Sequence, residues 1–315
     1  MRYLCFGLFL SAVAAANSGI AIVLNSGDET LSVIDAATFR ETRRVPIGKE
    51  PHHLMPTPDD KFVIIANAAS NELVFLDRST GEIKNRVKNI SDPYQIGYSP
   101  DRKWFVSVSL RLDRVDIYRP DNFQLIKRIP LPKAPSHLAY SPDSKTVFIT
   151  LQDTNQLAAI DLATQTVTWK LGIGKQPAGI LMTPDGKYLM IGILGDNYVE
   201  VVDWKNKKLV KKIRTGKGAH NFMESGDGKH VFLSNRAENT ISKINMETLA
   251  VVDSYPAPGG PDCMELAADK RYLWMTSRWA RKVSILDLQT KQIVKQIPVG
   301  RSPHGIYLSN HAPRR

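Results

Sequence analysis

Short apolar runs separated by polar turns dominate this sequence, and their length is typical of β-strands. In one representative stretch, residues 83–87 form the fourth predicted strand, after apolar runs at residues 54–55, 62–65 and 73–76. They are rich in β-branched and aromatic residues, and turn residues interrupt such runs roughly every eight to twelve positions. The pattern predicts an all-β unit of four short antiparallel strands.

This unit repeats along the chain with a period of 42 residues and without insertion or deletion. Three markers share the period: a Thr/Ser-Pro-Asp turn, an aspartate that opens a second turn, and a proline before the first strand. The turns begin at Thr57, Ser99, Ser141 and Thr183, the aspartates are Asp35, Asp77, Asp161, Asp203 and Asp287, and the prolines are Pro51, Pro93, Pro135, Pro177, Pro261 and Pro303. Seven units cover residues 17–310, so the period predicts one domain folded as a seven-bladed β-propeller. We interpret the periodic aspartates as structural, because an aspartate can bond the backbone of its own turn.

The repeat starts out of phase with the predicted blades. Residues 20–23 align with the second strand of later units, whereas residues 304–308 align with the first. We therefore expect the C-terminal strand and the three N-terminal strands to form one composite blade, which closes the ring and removes exposed sheet edges. Residues 311–315 would follow the propeller as a short basic tail.

The first sixteen residues have the pattern of a cleavable secretory signal. Arg2 supplies a positive charge, residues 4–13 are apolar, and three alanines at residues 14–16 precede a predicted cleavage site at Asn17. The mature protein is therefore predicted to be periplasmic or secreted. No later stretch contains the roughly 18 apolar residues that a membrane helix requires, so we expect no membrane span.

The composition indicates a basic protein without an internal disulfide. The net charge of +11 favours anionic partners through long-range attraction. Of the two cysteines, Cys5 would be lost with the signal peptide, which leaves Cys263 alone. The fold then has to be stable without a disulfide. We expect a monomer, and we do not expect nucleic acid to be the partner of an exported protein.

Three segments resemble the YVTN-type β-propeller repeats of bacterial proteins. They are residues 31–38 (LSVIDAAT), 183–189 (TPDGKYL) and 297–306 (IPVGRSPHGI). The resemblance extends over essentially the whole predicted mature chain and implies the propeller fold. It implies little about function, because members of this family and its structural relatives bind varied ligands, cofactors and partners.

One face of the predicted propeller is expected to be basic. The loops that lead from the outermost strand of one blade to the innermost strand of the next carry, in one register, Lys49, Lys133, Lys175, Lys217 and Arg301. The loops between the second and third strands open on the same face and add Arg111, Arg236 and Arg278. We predict that these cations receive an anionic small molecule, cofactor or protein partner. The alternative is that they are solvated charges in turns.

Histidines cluster in one register at the same end of the predicted channel. The residue after the periodic proline position, which Ala219 occupies in one unit, is His220, Asp262, His304 or His52 in four units that become consecutive when the ring closes. Three imidazoles and a carboxylate around a channel mouth suit a divalent transition metal such as Zn, Cu, Ni or Fe. The next register adds His53, His137 and Cys263. The alternative is that each histidine bonds a neighbouring carbonyl group or water, since no local metal-binding motif accompanies them.

Three functions remain open from the sequence, and we favour binding over catalysis. The first is a binding or scaffold protein, because a rigid ring holds seven variable loops in fixed relation. The repeats are also similar to propellers that hold or assemble haem d1, which implies a haem d1-type cofactor carrier; no Cys-x-x-Cys-His motif of an attached c-type haem is present. Some lactonases share the seven-bladed architecture, which implies a metal-assisted or lactonase-like hydrolase. We assign no catalytic residue, because no nucleophile lies beside a base in the sequence.

Overall fold

The seven predicted blades are present. The computed structural model describes residues 19–314, and the predicted signal peptide lies outside these residues. The described residues form 28 strands in seven antiparallel sheets of four strands each. This arrangement is a seven-bladed β-propeller, so the predicted fold class is confirmed.

The strands are numbered in chain order. The first fourteen are β1 (Ile20–Asn25), β2 (Thr30–Asp35), β3 (Arg40–Pro46), β4 (Pro51–Pro56), β5 (Phe62–Asn67), β6 (Glu72–Asp77), β7 (Ile83–Lys88), β8 (Gln95–Tyr98), β9 (Phe105–Ser109), β10 (Arg114–Tyr118), β11 (Leu125–Pro130), β12 (Pro135–Tyr140), β13 (Thr146–Leu151) and β14 (Gln156–Asp161). The remaining fourteen are β15 (Thr166–Gly172), β16 (Pro177–Met182), β17 (Tyr188–Ile193), β18 (Tyr198–Asp203), β19 (Lys208–Arg214), β20 (Ala219–Glu224), β21 (His230–Asn235), β22 (Thr240–Asn245), β23 (Ala250–Pro256), β24 (Pro261–Leu266), β25 (Tyr272–Ser277), β26 (Lys282–Asp287), β27 (Gln292–Pro298) and β28 (Pro303–Leu308).

The ring is closed by the predicted composite blade. Its strand order is β28-β1-β2-β3, so the C-terminal strand is the innermost one and the N-terminus supplies the other three. The backbone N–H of Ile20 also donates to the hydroxyl oxygen of Ser309, at 2.9 Å. Joining the two ends of the chain in one sheet leaves no open end in the array of blades.

The periodic aspartates stabilise turns, as the sequence predicted. The carboxylate of Asp35 accepts hydrogen bonds from the backbone N–H and the hydroxyl group of Thr38, at 2.7 and 2.8 Å. Asp161 accepts the same two bonds from Thr164. These bonds lower the pKa of both carboxyl groups, with the backbone bond as the largest cause. The aspartates therefore belong to the scaffold of each blade.

The hydrophobic core lies between adjacent blades. Ile22 and Leu24 of β1 pack with Val63 and Ile65 of β5, for example, and all four side chains are completely buried. The outer strands lie at the surface and are more polar, as in β19 with its sequence KLVKKIR. Each blade is thus held by the apolar faces of its two neighbours, as in other stacked sheets.

The chain after β28 folds back under the propeller. His311 forms a β-bridge with Ala267, and the N–H of Ala312 donates to the carbonyl oxygen of Leu266 at 2.8 Å. The predicted tail is therefore packed against the blades as far as residue 314. Within residues 19–314, no helix has the length and hydrophobicity needed to cross a bilayer.

Candidate functional site

The inner strands are irregular where they begin. The pairing register shifts within the first four residues of β4 and β24, and β28 has a similar shift against β1. Such β-bulges interrupt the alternation of side chains between the two faces of a sheet and re-aim them. As a result, two consecutive residues can meet at the channel: the rings of His52 and His53 have centroids 4.6 Å apart.

Five histidines and one tyrosine form a continuous group of rings at this end of the channel, which we call the ring group. It consists of His52, His53, Tyr94, His137, His220 and His304. The centroid of His52 lies 3.9 Å from that of His304 and 4.1 Å from that of Tyr94. The ring of His53 packs against that of His137 at 5.4 Å. All five histidines are buried, so the protein closes this end of its channel with aromatic side chains.

Two of these imidazoles have a defined proton position. The Nδ1 atom of His53 lies 2.7 Å from the carbonyl oxygen of Tyr94, and that of His304 lies 2.6 Å from the carbonyl oxygen of His52. Because a carbonyl oxygen can only accept a hydrogen bond, Nδ1 carries the proton in both neutral rings. The two Nε2 atoms are then unprotonated, and both are buried with no hydrogen-bond partner among the described residues.

Burial keeps the histidines of the ring group neutral. It is the largest cause of a pKa of about 4 for His53 and for His220, against an ordinary value of 6.5. The same cause lowers the pKa of the other three rings well below 6.5. At neutral pH these imidazoles are therefore available as hydrogen-bonding groups or as metal ligands.

Asp262 lies beside the ring group in a buried ionic cluster. Its Oδ2 atom is 2.7 Å from Nη2 of Arg236 and 3.1 Å from Nη1 of Arg278. Its Oδ1 atom is 3.2 Å from Nδ1 of His220, and Oδ2 is 3.5 Å from Nε2 of His304. Burial alone would raise the pKa of Asp262, but the positive charge of Arg236 and the hydrogen bond with His220 hold it well below its usual value. The carboxylate is thus ionised although its side chain is completely buried.

Two overlapping sets of side chains could hold a metal ion. His52, His53 and His304 form one set, and Asp262, Cys263 and His304 form the other; in each set, one donor atom per residue lies within 4.8 Å of the others. Metal–ligand distances of about 2.0 to 2.3 Å require the donors to approach somewhat more closely than this. A metal ion would therefore have to draw the donors of either set closer together, and His304 is common to both sets.

The structure brings together three of the four residues that the sequence predicted as metal ligands. His52 and Asp262 each belong to one of the two sets, and His304 belongs to both. His220 belongs to neither set among the described residues. Its ring lies against Arg236, whose Nη2 atom is 2.9 Å from Nε2, and against Asp262. His220 therefore orients the ionic cluster rather than joining the candidate ligands.

The structure adds two residues to these sets that the sequence analysis does not predict as metal ligands. His53 and Cys263 each follow a predicted ligand by one residue, in the next register of the repeat. That adjacency was the available signal, but regular strand alternation would send neighbouring side chains to opposite faces. The bulges at the start of the inner strands are the reason that both registers meet.

The structure separates the eight predicted cations into two classes. All four arginines pair with carboxylates, in the ion pairs Arg236–Asp262, Arg278–Asp262, Arg111–Asp92 and Arg301–Asp28. The four lysines are exposed and form no ion pair among the residues described, namely Lys49, Lys133, Lys175 and Lys217. The charges of the arginines are therefore neutralised by carboxylates of the protein itself, whereas the charges of the lysines are exposed to solvent.

A cavity of about 280 Å³ continues along the channel beneath the ring group. The residues that line it from the ring group outward include His53, Cys263, Met55, Met223, Glu265 and Arg314. The candidate metal ligands thus lie at the inner end of an internal space, while the C-terminal segment lies at its outer end.

Solved structures with the same fold have diverse functions. A functionally unknown protein from Desulfotomaculum acetoxidans has 18% identity and a TM-score of 0.80, over 95% of this chain and 100% of that chain. Kuenenia stuttgartiensis hydrazine synthase has 21% identity and a TM-score of 0.67, over 81% of this chain and 88% of that chain. The dihydro-heme d1 dehydrogenase NirN, in complex with DHE, has 16% identity and a TM-score of 0.68, over 93% and 75% of the two chains. At these identities the similarity shows the fold alone.

Sequence comparison identifies the family. No curated protein matches the chain. The family model described as YNCE-like beta-propeller matches residues 6–314, which is nearly the full length of the sequence. This result agrees in fold with the resemblance to YVTN-type repeats. The chain therefore belongs to the YNCE-like β-propeller family.

Proposed function

We propose that this protein is an exported binding protein that holds a transition-metal ion at the ring-group end of its channel. The observation that carries the proposal is that the Nε2 atoms of His53 and His304 are both buried and have no hydrogen-bond partner within residues 19–314. Each ring donates its Nδ1 proton to a backbone carbonyl group. Metal-binding histidines are commonly oriented in this way, with the second nitrogen left for the metal. A buried polar atom without a partner costs free energy, and a metal ion would supply the missing partner.

The contact between His304 and Asp262 also supports a cation at this place. The Nε2 atom of His304 and the Oδ2 atom of Asp262 are 3.5 Å apart. With the proton of His304 on Nδ1, both atoms are acceptors and cannot bond each other directly. A cation bound between them would satisfy the nitrogen and the carboxylate together.

The chemistry of the donors favours a transition metal over calcium or magnesium. Imidazole, carboxylate and thiolate groups are ligands of Zn, Cu, Fe and Ni, whereas Ca and Mg prefer oxygen alone. The imidazoles are already neutral and can bind a metal without losing a proton, but burial raises the pKa of the Cys263 thiol well above its usual value. Metal binding would therefore release one proton if Cys263 becomes a ligand. We propose His53 and His304 as ligands, with His52, Asp262 and Cys263 as further donors.

The two alternative functions receive less support. The channel cavity, at about 280 Å³, is smaller than the roughly 300–1,000 Å³ pockets that hold drug-sized ligands. A haem d1-type macrocycle would therefore have to bind outside this cavity, on the surface of the propeller. A hydrolase with Cys263 as nucleophile would need a base. The Nδ1 atom of His304 lies 3.6 Å from the sulfur of Cys263, but it already donates to the carbonyl oxygen of His52 and cannot take the thiol proton.

The exposed lysines support a second candidate function, the docking of an anionic partner on the face of the propeller at the ring-group end of the channel. Unlike the arginines, they have no carboxylate partner within the described part of the chain. The residues are Lys49, Lys133, Lys175 and Lys217. Their attraction for an acidic molecule would weaken as the ionic strength rises, because exposed charges are screened by salt.

Metal binding by chelator-treated protein tests the proposal. We expect the wild type to retain a stoichiometric amount of Zn(II) or copper after dialysis, measured by elemental analysis. Metal at 100 times its dissociation constant should stabilise the fold by about 2.7 kcal/mol, read from thermal unfolding. His304→Gln removes the ligand shared by both sets and should weaken binding by more than about 100-fold, since even outer-shell changes cost 10- to 100-fold.

Two further variants sharpen this test. His230→Gln is the matched control, because the imidazole of His230 lies outside the channel and pairs with Asp227 at 2.7 Å. Its affinity for metal should equal that of the wild type. His220→Gln should also bind metal, since His220 is outside both ligand sets. A wild type that retains no metal, or a His304→Gln variant that binds as tightly, would contradict the proposal.

A further inference from the structure

The two ends of the channel present a metal ion with different electrostatic surroundings. At the ring-group end, the guanidinium groups of Arg236 and Arg278 bind Asp262 and remain partly exposed, with 17% and 25% of their side chains accessible. A cation that approaches from this face meets two positive charges before it reaches the carboxylate. Charge of one sign around an entrance changes association rates by orders of magnitude. Entry from this end is therefore unfavourable for a metal ion.

The cavity on the other side of the ring group is lined by soft donor groups. Met55, Met223 and Met264 line it together with Cys263 and His53, both of which belong to the candidate ligand sets. Thioether and thiolate sulfur atoms select Cu(I) over harder ions, while imidazole binds copper and zinc alike. The cavity thus connects the ligand sets with the opposite face by a path that suits a soft cation.

A buried acid at the outer end of the cavity supports this direction. Glu265 is only 2% exposed, and its Oε1 atom is buried without a hydrogen-bond partner among the described residues. Its other oxygen pairs with Arg314 from the C-terminal segment. Arg314 therefore lies where an incoming cation would bind first.

We infer that the methionine-lined cavity is the loading route of the metal site, that its cargo is Cu(I), and that Arg314 is a tethered cation that occupies the entrance at Glu265. This inference rests on the proposed function. Cu(I) would displace Arg314 from Glu265, pass the methionine sulfur atoms and reach His53 and Cys263. No change in the oxidation state of copper is required along this route.

Metal-transfer kinetics test the inference. Apo protein is mixed without oxygen with Cu(I) held by bathocuproine disulfonate, and the loss of the chelator's visible absorbance gives the transfer rate. Arg314→Gln should accelerate transfer by about tenfold, because it removes the competing positive charge. Met55→Leu combined with Met223→Leu keeps the side-chain volumes nearly constant and should slow transfer by about tenfold, because leucine has no sulfur donor. Zn(II) uptake in this double variant should be unchanged.

The controls separate this inference from the proposed function. Arg301→Gln removes an arginine ion pair with Asp28 on the opposite face and should leave the rate unchanged. The amount of copper bound at equilibrium should be equal in all variants, since the imidazole ligands are intact. If the wild type takes up no metal, the proposed function and the inference both fail. If it takes up Cu(I) but either variant transfers at the wild-type rate, the inference alone is wrong.

Discussion

Acid should destabilise the metal-free protein at the pH where an ordinary histidine begins to bind a proton. The pKa of His53 is about 4 in the folded protein, chiefly because of burial, against 6.5 for an exposed imidazole. Between these values, the unfolded chain binds a proton at this residue and the folded protein does not. The free energy of unfolding therefore falls as the pH decreases from 6.5 to 4, and this residue leaves it unchanged at higher pH.

The size of the effect follows from the two pKa values. At pH 5 the unfolded state gains RT ln[(1 + 10^1.5)/(1 + 10^−1)], which is about 2 kcal/mol for one imidazole. His220 has the same folded-state pKa of about 4 and should contribute a similar loss. The neighbouring charges act in both directions: Asp262 favours a protonated ring, whereas Arg236 and Arg278 oppose it. A loss of about 4 kcal/mol from two residues is a large part of the 5–15 kcal/mol by which typical domains are stable.

Urea unfolding at pH 7.5 and pH 5.0 in the presence of a chelator measures this loss. Glutamine cannot bind a proton, so His53→Gln should be less sensitive to acid than the wild type. The difference in unfolding free energy between wild type and variant should decrease by about 2 kcal/mol from pH 7.5 to pH 5.0, whatever its value at pH 7.5. His230→Gln, outside the channel, should retain most of the wild-type loss. A wild-type-minus-variant difference that is equal at both pH values would refute the reasoning.

Two further predictions concern the packing and charge of the channel wall. A Cβ atom at Gly179 would lie 2.1 Å from the carbonyl oxygen of His220, so Gly179→Ala should destabilise the fold by about 1–3 kcal/mol in chemical denaturation. At Gly172 no atom of the described residues lies within 4 Å of the added carbon, so Gly172→Ala should be nearly neutral. Equal losses of stability in the two variants would contradict this prediction. Asp262→Asn keeps the shape of the side chain but removes the negative charge that Arg236 and Arg278 bind. The free energy of unfolding should therefore fall by about 3–5 kcal/mol. A variant within about 1 kcal/mol of the wild type would show that the two arginines find other partners.

Much of the fold was readable from the sequence because the repeat is uninterrupted. Units of equal length place equivalent residues at equivalent positions around a ring. The number of blades and the composite closing blade therefore follow from the 42-residue period and its phase. The same counting put His52, Asp262 and His304 at one end of the channel, and the structure groups them there. The period does not predict that the ring of His220 lies against the guanidinium group of Arg236, because that contact depends on the direction of the two side chains.

The sequence by itself determined the architecture and the register of the residues that line the channel, because a covalent period translates directly into angular position around the ring. Only the tertiary structure decided which donor atoms meet. The bulges at the start of the inner strands aim consecutive residues such as His52 and His53 into the same space. The tertiary structure also decided that Nε2 of His304 has no hydrogen-bond partner among the described residues, while arginines such as Arg236 pair with carboxylates. These outcomes depend on distances of a few ångströms between residues from different blades, which no local pattern in the sequence specifies.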